Sequence, residues 1–218
     1  MIEDQKAILK KHDLPADAFG LYVDEWGMWV DQDEATDPPA LYQQGSIRDA
    51  IVAGLNLNLF HAHADVVKMT NIAQMVNVLQ AMILTDGPDM VLTPTYHVFD
   101  MYQPFMGAEA LEMNLQLPDY VLGDVTVPAI SASAARTEDG RIVLALVNAS
   151  AHDDHLVDAS AFGASKATGR ILQGEEMDSH NTFDGPDRVQ PAPYIVDGTA
   201  DDLVLSIPAR SVVVVTLD

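Results

Sequence analysis

Leu21-Tyr-Val-Asp-Glu-Trp-Gly-Met-Trp29 begins as a short apolar run and ends in a pair of carboxylates flanked by two tryptophans. Its first six residues have the composition of a buried parallel strand. A second such strand is expected at Asp65–Met69, within the stretch His63-Ala-Asp-Val-Val-Lys-Met-Thr-Asn-Ile-Ala-Gln74. With a helix between them, the two runs predict neighbouring parallel strands of a barrel, each followed by polar side chains.

Helical patterns surround these strands. Residues 2–12 have the spacing of an amphipathic helix, and Tyr96–Phe105 is expected to form another. Ser46-Ile-Arg-Asp49 resembles a capping box, with Asp in the place usually held by Glu, and it predicts a helix that runs to about His61. Residues 71–84 are expected to continue into buried apolar structure. The methionines of this region are expected to fill the core, namely Met69, Met75 and Met82.

From about residue 108 the pattern changes to apolar or alternating runs separated by turn clusters. The clearest runs are Val125–Ser131, Ile142–Val147, Leu203–Ile207 and Val212–Leu217. They predict an antiparallel β-sandwich, jelly-roll-like, over residues 108–218. A complete (β/α)8 barrel takes roughly 200 residues or more, so residues 1–107 are expected to form only its last strands and helices. The expected fold class is therefore α/β plus all-β, an incomplete barrel followed by a sandwich.

Charge and composition limit the possible partners. The 33 acidic and 11 basic residues give a formal net charge of −22 and a pI near 4.3. Nucleic acid and anionic membranes would repel such a chain, so we expect neither as a partner, and neutral molecules are the natural substrates. The chain has no cysteine, which excludes disulfides and thiolate metal sites. It also lacks a run of the roughly 18 apolar residues that a membrane-spanning helix needs.

Glu25 is the main candidate for chemistry. Catalytic groups in a barrel lie at the carboxyl ends of the strands, and Glu25 is at the end of its strand. Strand alternation would send Asp24 and Glu25 to opposite sides, so that only one faces the barrel axis. A carboxylate there can attack an anomeric carbon, and Trp26 and Trp29 could offer flat apolar surfaces to a sugar. The residues alone leave a second interpretation open, in which the acidic pair caps the next turn or pairs with a buried arginine.

Other polar side chains also permit two interpretations. His61 and His63 suggest a metal site, but two residues apart on a helix they lie on different faces, and no cysteine or acidic cluster completes a tetrahedral set. We therefore expect a structural pair at a helix end and no metal. Asn71 and Gln74 follow a buried strand and need hydrogen-bond partners, which could be sugar hydroxyls or neighbouring backbone.

Several long motifs carry a family resemblance. They are Asp24-Glu-Trp-Gly-Met-Trp29, Leu41-Tyr-Gln-Gln-Gly-Ser-Ile-Arg-Asp-Ala-Ile-Val-Ala-Gly54, Val67-Lys-Met-Thr-Asn-Ile-Ala-Gln-Met-Val-Asn-Val-Leu-Gln80 and Thr93-Pro-Thr-Tyr-His-Val-Phe99. In this order they resemble the carboxyl-terminal part of family 51 glycoside hydrolases, the intracellular α-L-arabinofuranosidases. The likeness covers nearly all of residues 15–107. Over the β section the chain resembles the family in architecture more than in amino-acid sequence.

The resemblance implies a cytoplasmic retaining hydrolase that removes terminal α-L-arabinofuranosyl groups from arabinan, arabinoxylan and related oligosaccharides. It implies that Glu25 is the nucleophile, at the end of the seventh barrel strand, and that Gln74, just past the eighth, contacts bound arabinose. Trp29 matches an aromatic residue near the pocket. Members of the family need no metal or organic cofactor, and they are often homo-oligomers.

The departures from the family pattern concern the other half of the site. The family's acid/base glutamate lies in an Asn-Glu pair on the fourth barrel strand, and a sugar-binding arginine and asparagine lie further upstream; none of these motifs occurs here. Met1 aligns with the interior of a helix before the seventh strand, so we expect a fragment of a longer reading frame or a truncated product, inactive by itself. The alternative is a non-catalytic carbohydrate- or partner-binding piece that complements a separate amino-terminal half.

Overall fold

The computed structural model describes residues 1–15, 19–31, 42–115 and 119–218. Within these ranges, none of the helices combines the length and apolar character needed to cross a bilayer. The helices are α1 Ile2–Lys11, α2 Ile47–Ala62 and α3 Pro94–Met101, with short 3₁₀ turns at Gln103–Phe105 and Ser160–Phe162. The strands are β1 Leu21–Trp26, β2 Val67–Ile72, β3 Ile83–Asp86, β4 Asp89–Leu92, β5 Glu109–Leu111, β6 Asp119–Leu122, β7 Val125–Pro128, β8 Ile130–Arg136, β9 Ile142–Asn148, β10 His155–Asp158, β11 Lys166–Gln173, β12 Ala192–Asp197, β13 Val204–Ile207 and β14 Ser211–Leu217.

Strands β1 and β2 form a parallel pair joined by helix α2. Both strands were predicted, although β2 begins and ends slightly later than expected. The expectation that they are buried is wrong for the described structure, since β1 has no buried residue and β2 has only Val67. The predicted capping box is present at the start of α2, where the backbone N–H of Ser46 donates to Oδ2 of Asp49 at 2.8 Å. A strand, a crossover helix and a second parallel strand form the repeating unit of α/β folds. The assignment of this unit to a barrel stays a prediction.

The largest sheet in the described ranges has six strands in the order β12-β11-β14-β9-β8-β5, all antiparallel to their neighbours. Strand β14, which follows every other described strand in the chain, lies in the middle, between β11 and β9. Strands β10 and β13 form a separate antiparallel ribbon. The prediction of antiparallel β structure after residue 108 is confirmed.

Both faces of the six-stranded sheet are covered, but by different elements. Along β9, Val143, Ala145 and Val147 belong to a core shared with helices α2 and α3. The alternate residues Leu144 and Leu146 belong to a second core, shared with the ribbon. Burial on both faces explains why β9 is a continuous apolar run in place of an alternating one. One face of the predicted sandwich therefore packs on helices from before residue 108.

The segment after β2 meets the expectation of burial only in part, since Leu79, Ala81 and Leu84 are buried but the residues before them are mostly exposed. Residues 73–82 form mostly irregular structure that leads into the β3–β4 hairpin, and Met75 is 61% exposed. Met69 is 46% exposed, so these two methionines do not fill a core, whereas Met82 is partly buried. The apolar character of Met69 and Met75 suggested burial, but both side chains are exposed in the described structure.

Candidate active site

The carboxyl ends of β1 and β2 bring Glu25 and Gln74 to one edge of the strand pair. Trp26 of β1 is paired with Ile72 of β2. The next hydrogen bond runs from the backbone N–H of Ala73 to the carbonyl of Trp26, at 2.9 Å. Glu25 and Gln74 each lie one residue from this bond, on neighbouring segments, and both side chains are exposed. Parallel barrel strands present catalytic groups at this edge.

Asp24 and Glu25 do not follow simple strand alternation. From Val23 to Trp26, β1 advances three residues while its partner advances two, so β1 carries one extra residue at the carboxylate pair. Both carboxylates are exposed. The extra residue interrupts the alternation of side-chain directions at this pair. Alternation therefore does not decide which of the two carboxylates faces the site.

The two tryptophans of the motif have different environments. Trp26 packs edge-on against Phe60, with ring centroids 5.3 Å apart, and stacks on Phe99 at 6.0 Å. Its ring joins β1 to helices α2 and α3 and is partly buried by these contacts. Trp29 is 71% exposed. Of the two predicted sugar platforms, Trp29 is the more exposed in the described structure.

The loop that follows β1, residues 27–31, is here called the Trp29 loop. Its backbone is bound by two buried glutamines that the sequence analysis missed. The carbonyl of Met28 accepts hydrogen bonds from the amides of Gln80 at 2.6 Å and Gln43 at 3.3 Å. The N–H of Val30 donates to Oε1 of Gln43 at 3.1 Å. These glutamines lie 52 and 15 residues from Met28 in the chain, so no local pattern could have linked them.

Asp49 lies behind the two glutamines and is completely buried. Its Oδ1 accepts from Nε2 of Gln43 and of Gln80, both at 3.2 Å. Its Oδ2 accepts from the backbone N–H of Ser46 and from Arg48 at 3.1 Å. The capping box was the sequence signal for Asp49, and the structure adds a second role for the same carboxylate.

Three amide residues after β2 have a left-handed backbone. The φ angles are 47° at Gln74, 56° at Asn77 and 57° at Gln80. This conformation costs roughly 1–2 kcal/mol for a non-glycine residue and persists only where the surroundings hold it. Asn77 is held by Thr85, whose N–H donates to the Asn77 side chain at 2.7 Å. The Asn77 side chain therefore ties the segment after Gln74 to strand β3.

His61 and His63 contact different elements. Nδ1 of His61 lies 2.9 Å from the Ser133 hydroxyl, and its ring stacks on Phe105 at 4.6 Å. Burial lowers the pKa of His61 to about 4. Nδ1 of His63 lies 3.4 Å from Glu3 of α1. Among the residues that the structure describes, no three His, Asp or Glu side chains are grouped to hold a metal ion.

Comparison with known proteins identifies the family. Residues 24–211 match the model of the alpha-L-arabinofuranosidase C-terminal domain. An intracellular exo-alpha-L-arabinofuranosidase from Bacteroides ovatus is 40% identical over 223 residues, which cover 96% of this chain and 43% of the relative. The crystal structure of the GH51 arabinofuranosidase from Xanthomonas axonopodis pv. citri superposes with a TM-score of 0.92 at 43% identity, over 100% of this chain and 44% of that one.

A more distant relative shares the fold. The arabinose complex of the alpha-L-arabinofuranosidase from Thermotoga maritima is 22% identical and superposes with a TM-score of 0.76, over 91% of this chain and 43% of that one. The chain thus spans less than half the length of each of these relatives. Both the β1–β2 pair and the six-stranded sheet lie within the region that superposes on the Xanthomonas structure, which covers the whole of this chain. The chain therefore belongs to the family 51 glycoside hydrolases and corresponds to their carboxyl-terminal portion.

Proposed function

We propose that the chain is the nucleophile-bearing portion of a retaining α-L-arabinofuranosidase that acts on arabinose-containing oligosaccharides. The observation that carries the proposal is the shared edge of β1 and β2, where Glu25 and Gln74 each lie one residue from the same backbone hydrogen bond. The relative from Bacteroides ovatus, named an intracellular exo-alpha-L-arabinofuranosidase, supports both the reaction class and a site of action inside the cell. Because the chain spans 43% of that relative, the activity of the whole protein is itself part of the proposal.

In the proposed reaction the Glu25 carboxylate attacks the anomeric carbon of a terminal arabinofuranosyl group. An ester bond forms to the sugar while the bond to the leaving oxygen breaks. The leaving oxygen takes its proton from a general acid supplied from outside these residues. Water, activated by the same group, then attacks the anomeric carbon, releases arabinose and restores the carboxylate. Gln74 binds the sugar, and Trp29 places an aromatic ring at the pocket.

The isolated chain is expected to be nearly inactive. Loss of a general acid removes a contribution of the order of 10²–10⁴ in rate. Sugar contacts made by the upstream portion of the site would be lost as well. Turnover of p-nitrophenyl α-L-arabinofuranoside by the isolated chain at the rate of a complete enzyme, abolished by Glu25→Gln, would contradict this part of the proposal.

Within the proposal, residues 1–107 form the last part of a (β/α)8 barrel and residues 108–218 form a β-sandwich domain. The parallel β1–β2 pair with its crossover helix α2 supports the first assignment. The core that α2 and α3 share with the six-stranded sheet supports a structural role for the second. The sandwich then holds the end of the barrel in place and takes no part in the chemistry.

The nucleophile is tested in a fusion that restores a full-length enzyme. The part of the Xanthomonas relative that precedes the position of Met1 is joined to this chain, and hydrolysis of p-nitrophenyl α-L-arabinofuranoside is measured. Glu25→Gln should lower kcat by roughly 10⁴-fold or more, because the nucleophile acts as part of one catalytic unit. Asp24→Asn, a change to the adjacent and equally exposed carboxylate, is the matched control and should cost far less.

Mass spectrometry of the fusion denatured during turnover should find the arabinosyl group on the peptide that contains Glu25. A folded fusion without activity would refute the proposed function. Labelling at Asp24, together with loss of activity in Asp24→Asn alone, would keep the reaction class and move the nucleophile by one residue.

A partner-binding role is a second candidate, favoured by apolar side chains exposed around the strand pair. Tyr22 is 60% exposed, Met75 61% and Met69 46%. In this version the chain is a non-catalytic piece that complements a separately encoded amino-terminal half. The test is to mix the chain with a separately expressed amino-terminal portion. Co-elution without sugar hydrolysis would favour this role. Hydrolysis that depends on Glu25 would instead support the first proposal.

A further inference from the structure

The Trp29 loop is attached to the protein on both sides of its tryptophan. The carbonyl of Met28, before Trp29, accepts from the amides of Gln80 and Gln43 at 2.6 and 3.3 Å. The N–H of Val30, after Trp29, donates to Oε1 of Gln43 at 3.1 Å. Because the Trp29 side chain is 71% exposed, little packing of its own holds it. The position of the ring therefore depends on these backbone hydrogen bonds.

Asp49 decides how the two amides are oriented. A carboxylate oxygen only accepts hydrogen bonds, so the NH₂ groups of Gln43 and Gln80 must point toward Oδ1 of Asp49, at 3.2 Å from each. The second proton of each NH₂ group is then directed to the Met28 carbonyl. The oxygen of Gln43 remains for Val30. The three side chains are 0–4% exposed, so water does not compete for these bonds.

Gln80 adopts a geometry that an ordinary core residue would avoid. Its backbone is left-handed, with φ of 57°. Its Oε1 is buried and has no hydrogen-bond partner among the described residues. A Cβ atom on Gly27 would lie 2.4 Å from Cγ of Gln80, so only glycine lets the loop approach this side chain so closely. Costs of this kind persist where the surroundings enforce a geometry, often at a functional site.

We propose that Gln43, Gln80 and Asp49 are positioning residues that hold the backbone on both sides of Trp29, in the loop that follows the strand of Glu25, so that its ring is placed for binding of the arabinofuranosyl group. The inference rests on the proposed function and deepens it, since it names residues that act through the backbone of the Trp29 loop without touching the sugar. A loop whose backbone is already fixed binds a ligand without the entropy cost of ordering that loop.

The test uses the full chain labelled with 5-fluorotryptophan, because it contains only two tryptophans. Trp29→Phe assigns the two ¹⁹F resonances. Gln80→Leu puts a shorter, apolar side chain of comparable bulk in place of the amide, so the Trp29 resonance should shift or broaden. The Trp26 resonance should stay unchanged, because that ring packs on Phe60 and Phe99.

Hydrogen exchange at the Val30 amide provides a second readout of the loop. In the unsubstituted chain this amide should exchange slowly, and Gln43→Leu should speed its exchange at least about tenfold. Fast exchange in the unsubstituted chain would overturn the proposal even if neither variant folds. In folded variants, an unchanged Trp29 resonance and unchanged Val30 exchange would overturn it too.

Tyr102→Phe is the matched control. It removes a buried hydroxyl that donates to Asn58 at 2.9 Å, in a separate polar cluster, and should lower the melting temperature without affecting the Trp29 loop. If it moves the Trp29 resonance as much as Gln80→Leu does, the effect is one of general stability and the proposal fails.

Kinetics in the full-length fusion separate this inference from the proposed function. In an active fusion, Gln80→Leu should raise KM more than it lowers kcat and should have no further effect in a Trp29→Ala background, because both changes act on the same ring. Additive effects would refute the positioning role and leave the proposed function standing. An inactive fusion with a mobile loop in Gln80→Leu would refute the proposed function and leave the structural coupling intact.

Discussion

Acidification is expected to destabilise the protein through His61. The ring is packed against Phe105 and lies beside the hydroxyl of Ser133, and burial lowers its pKa from 6.5 to about 4. In the unfolded chain the same ring takes up its proton near pH 6.5. The unfolded state therefore binds more protons between pH 6.5 and pH 4. The stability contributed by neutral His61 is complete above pH 6.5 and is lost as the pH falls toward 4.

The size of this effect follows from the pKa difference. From 6.5 to about 4 is a difference of about 2.5, which corresponds to at most about 3 kcal/mol, and about 2 kcal/mol of it is lost by pH 5. Two other effects overlap with it. Burial also lowers the pKa of His97, which acts in the same direction. Relief of repulsion among the carboxylates, at a net charge of −22, acts in the opposite direction.

A comparison of variants isolates His61 from these effects. Urea unfolding is measured at pH 7.5 and pH 5 for the unsubstituted chain and for His61→Gln, which cannot be protonated but can still bond to Ser133. The unsubstituted chain should lose about 2 kcal/mol more than the variant between the two pH values. His12→Gln, at an exposed histidine, is the control and should behave like the unsubstituted chain. Equal losses in the unsubstituted chain and in His61→Gln would refute the reasoning.

Two further predictions concern stability, measured as the free energy of unfolding in urea. Gly27→Ala should cost about 2–3 kcal/mol, because φ is +138° and the new Cβ would lie 2.4 Å from Gln80. Gly87→Ala, with φ of +54° and open space around it, should cost only about 1 kcal/mol, and equal losses would argue against a clash at residue 27. Leu205→Ala should cost about 2–5 kcal/mol, because Leu205 is fully buried between the ribbon and the large sheet. Leu156→Ala, 66% exposed on the neighbouring ribbon strand, should change stability by less than about 0.5 kcal/mol, and comparable losses at the two leucines would contradict the assigned core.

Elements that depend on short-range chemistry could be predicted from the sequence. Ser46 and Asp49 are three residues apart and form the capping box that the pattern indicated. The bounds of β1 follow from its apolar run and from Gly27, which ends it. The strand order in the chain also placed Glu25 and Gln74 at neighbouring strand ends, because parallel strands share a carboxyl edge.

Features that depend on distant contacts could not be predicted. Gln80 lies 52 residues from Met28, and its buried amide acquires a role only when the segments on either side fold together. Met69 has the hydrophobicity of a core residue, yet its burial depends on what covers β2, which the local pattern does not contain. The apolar run of β9 indicated a strand of a sandwich, but not that helices α2 and α3 would cover one of its faces.

The central position of β14 has a consequence for synthesis in the cell. β14 pairs with β11 on one side and β9 on the other, and among the described strands it alone links these two in the sheet. Residues 211–217 follow all other described strands, so they emerge from the ribosome after them. Only then can the pair β11–β12 join the group β9, β8 and β5, which are the two half-sheets on either side of β14. Until then the edges of β9 and β11 are open to pairing with other nascent chains. A stop codon just before residue 211 would therefore remove the connection between the half-sheets and leave an aggregation-prone product.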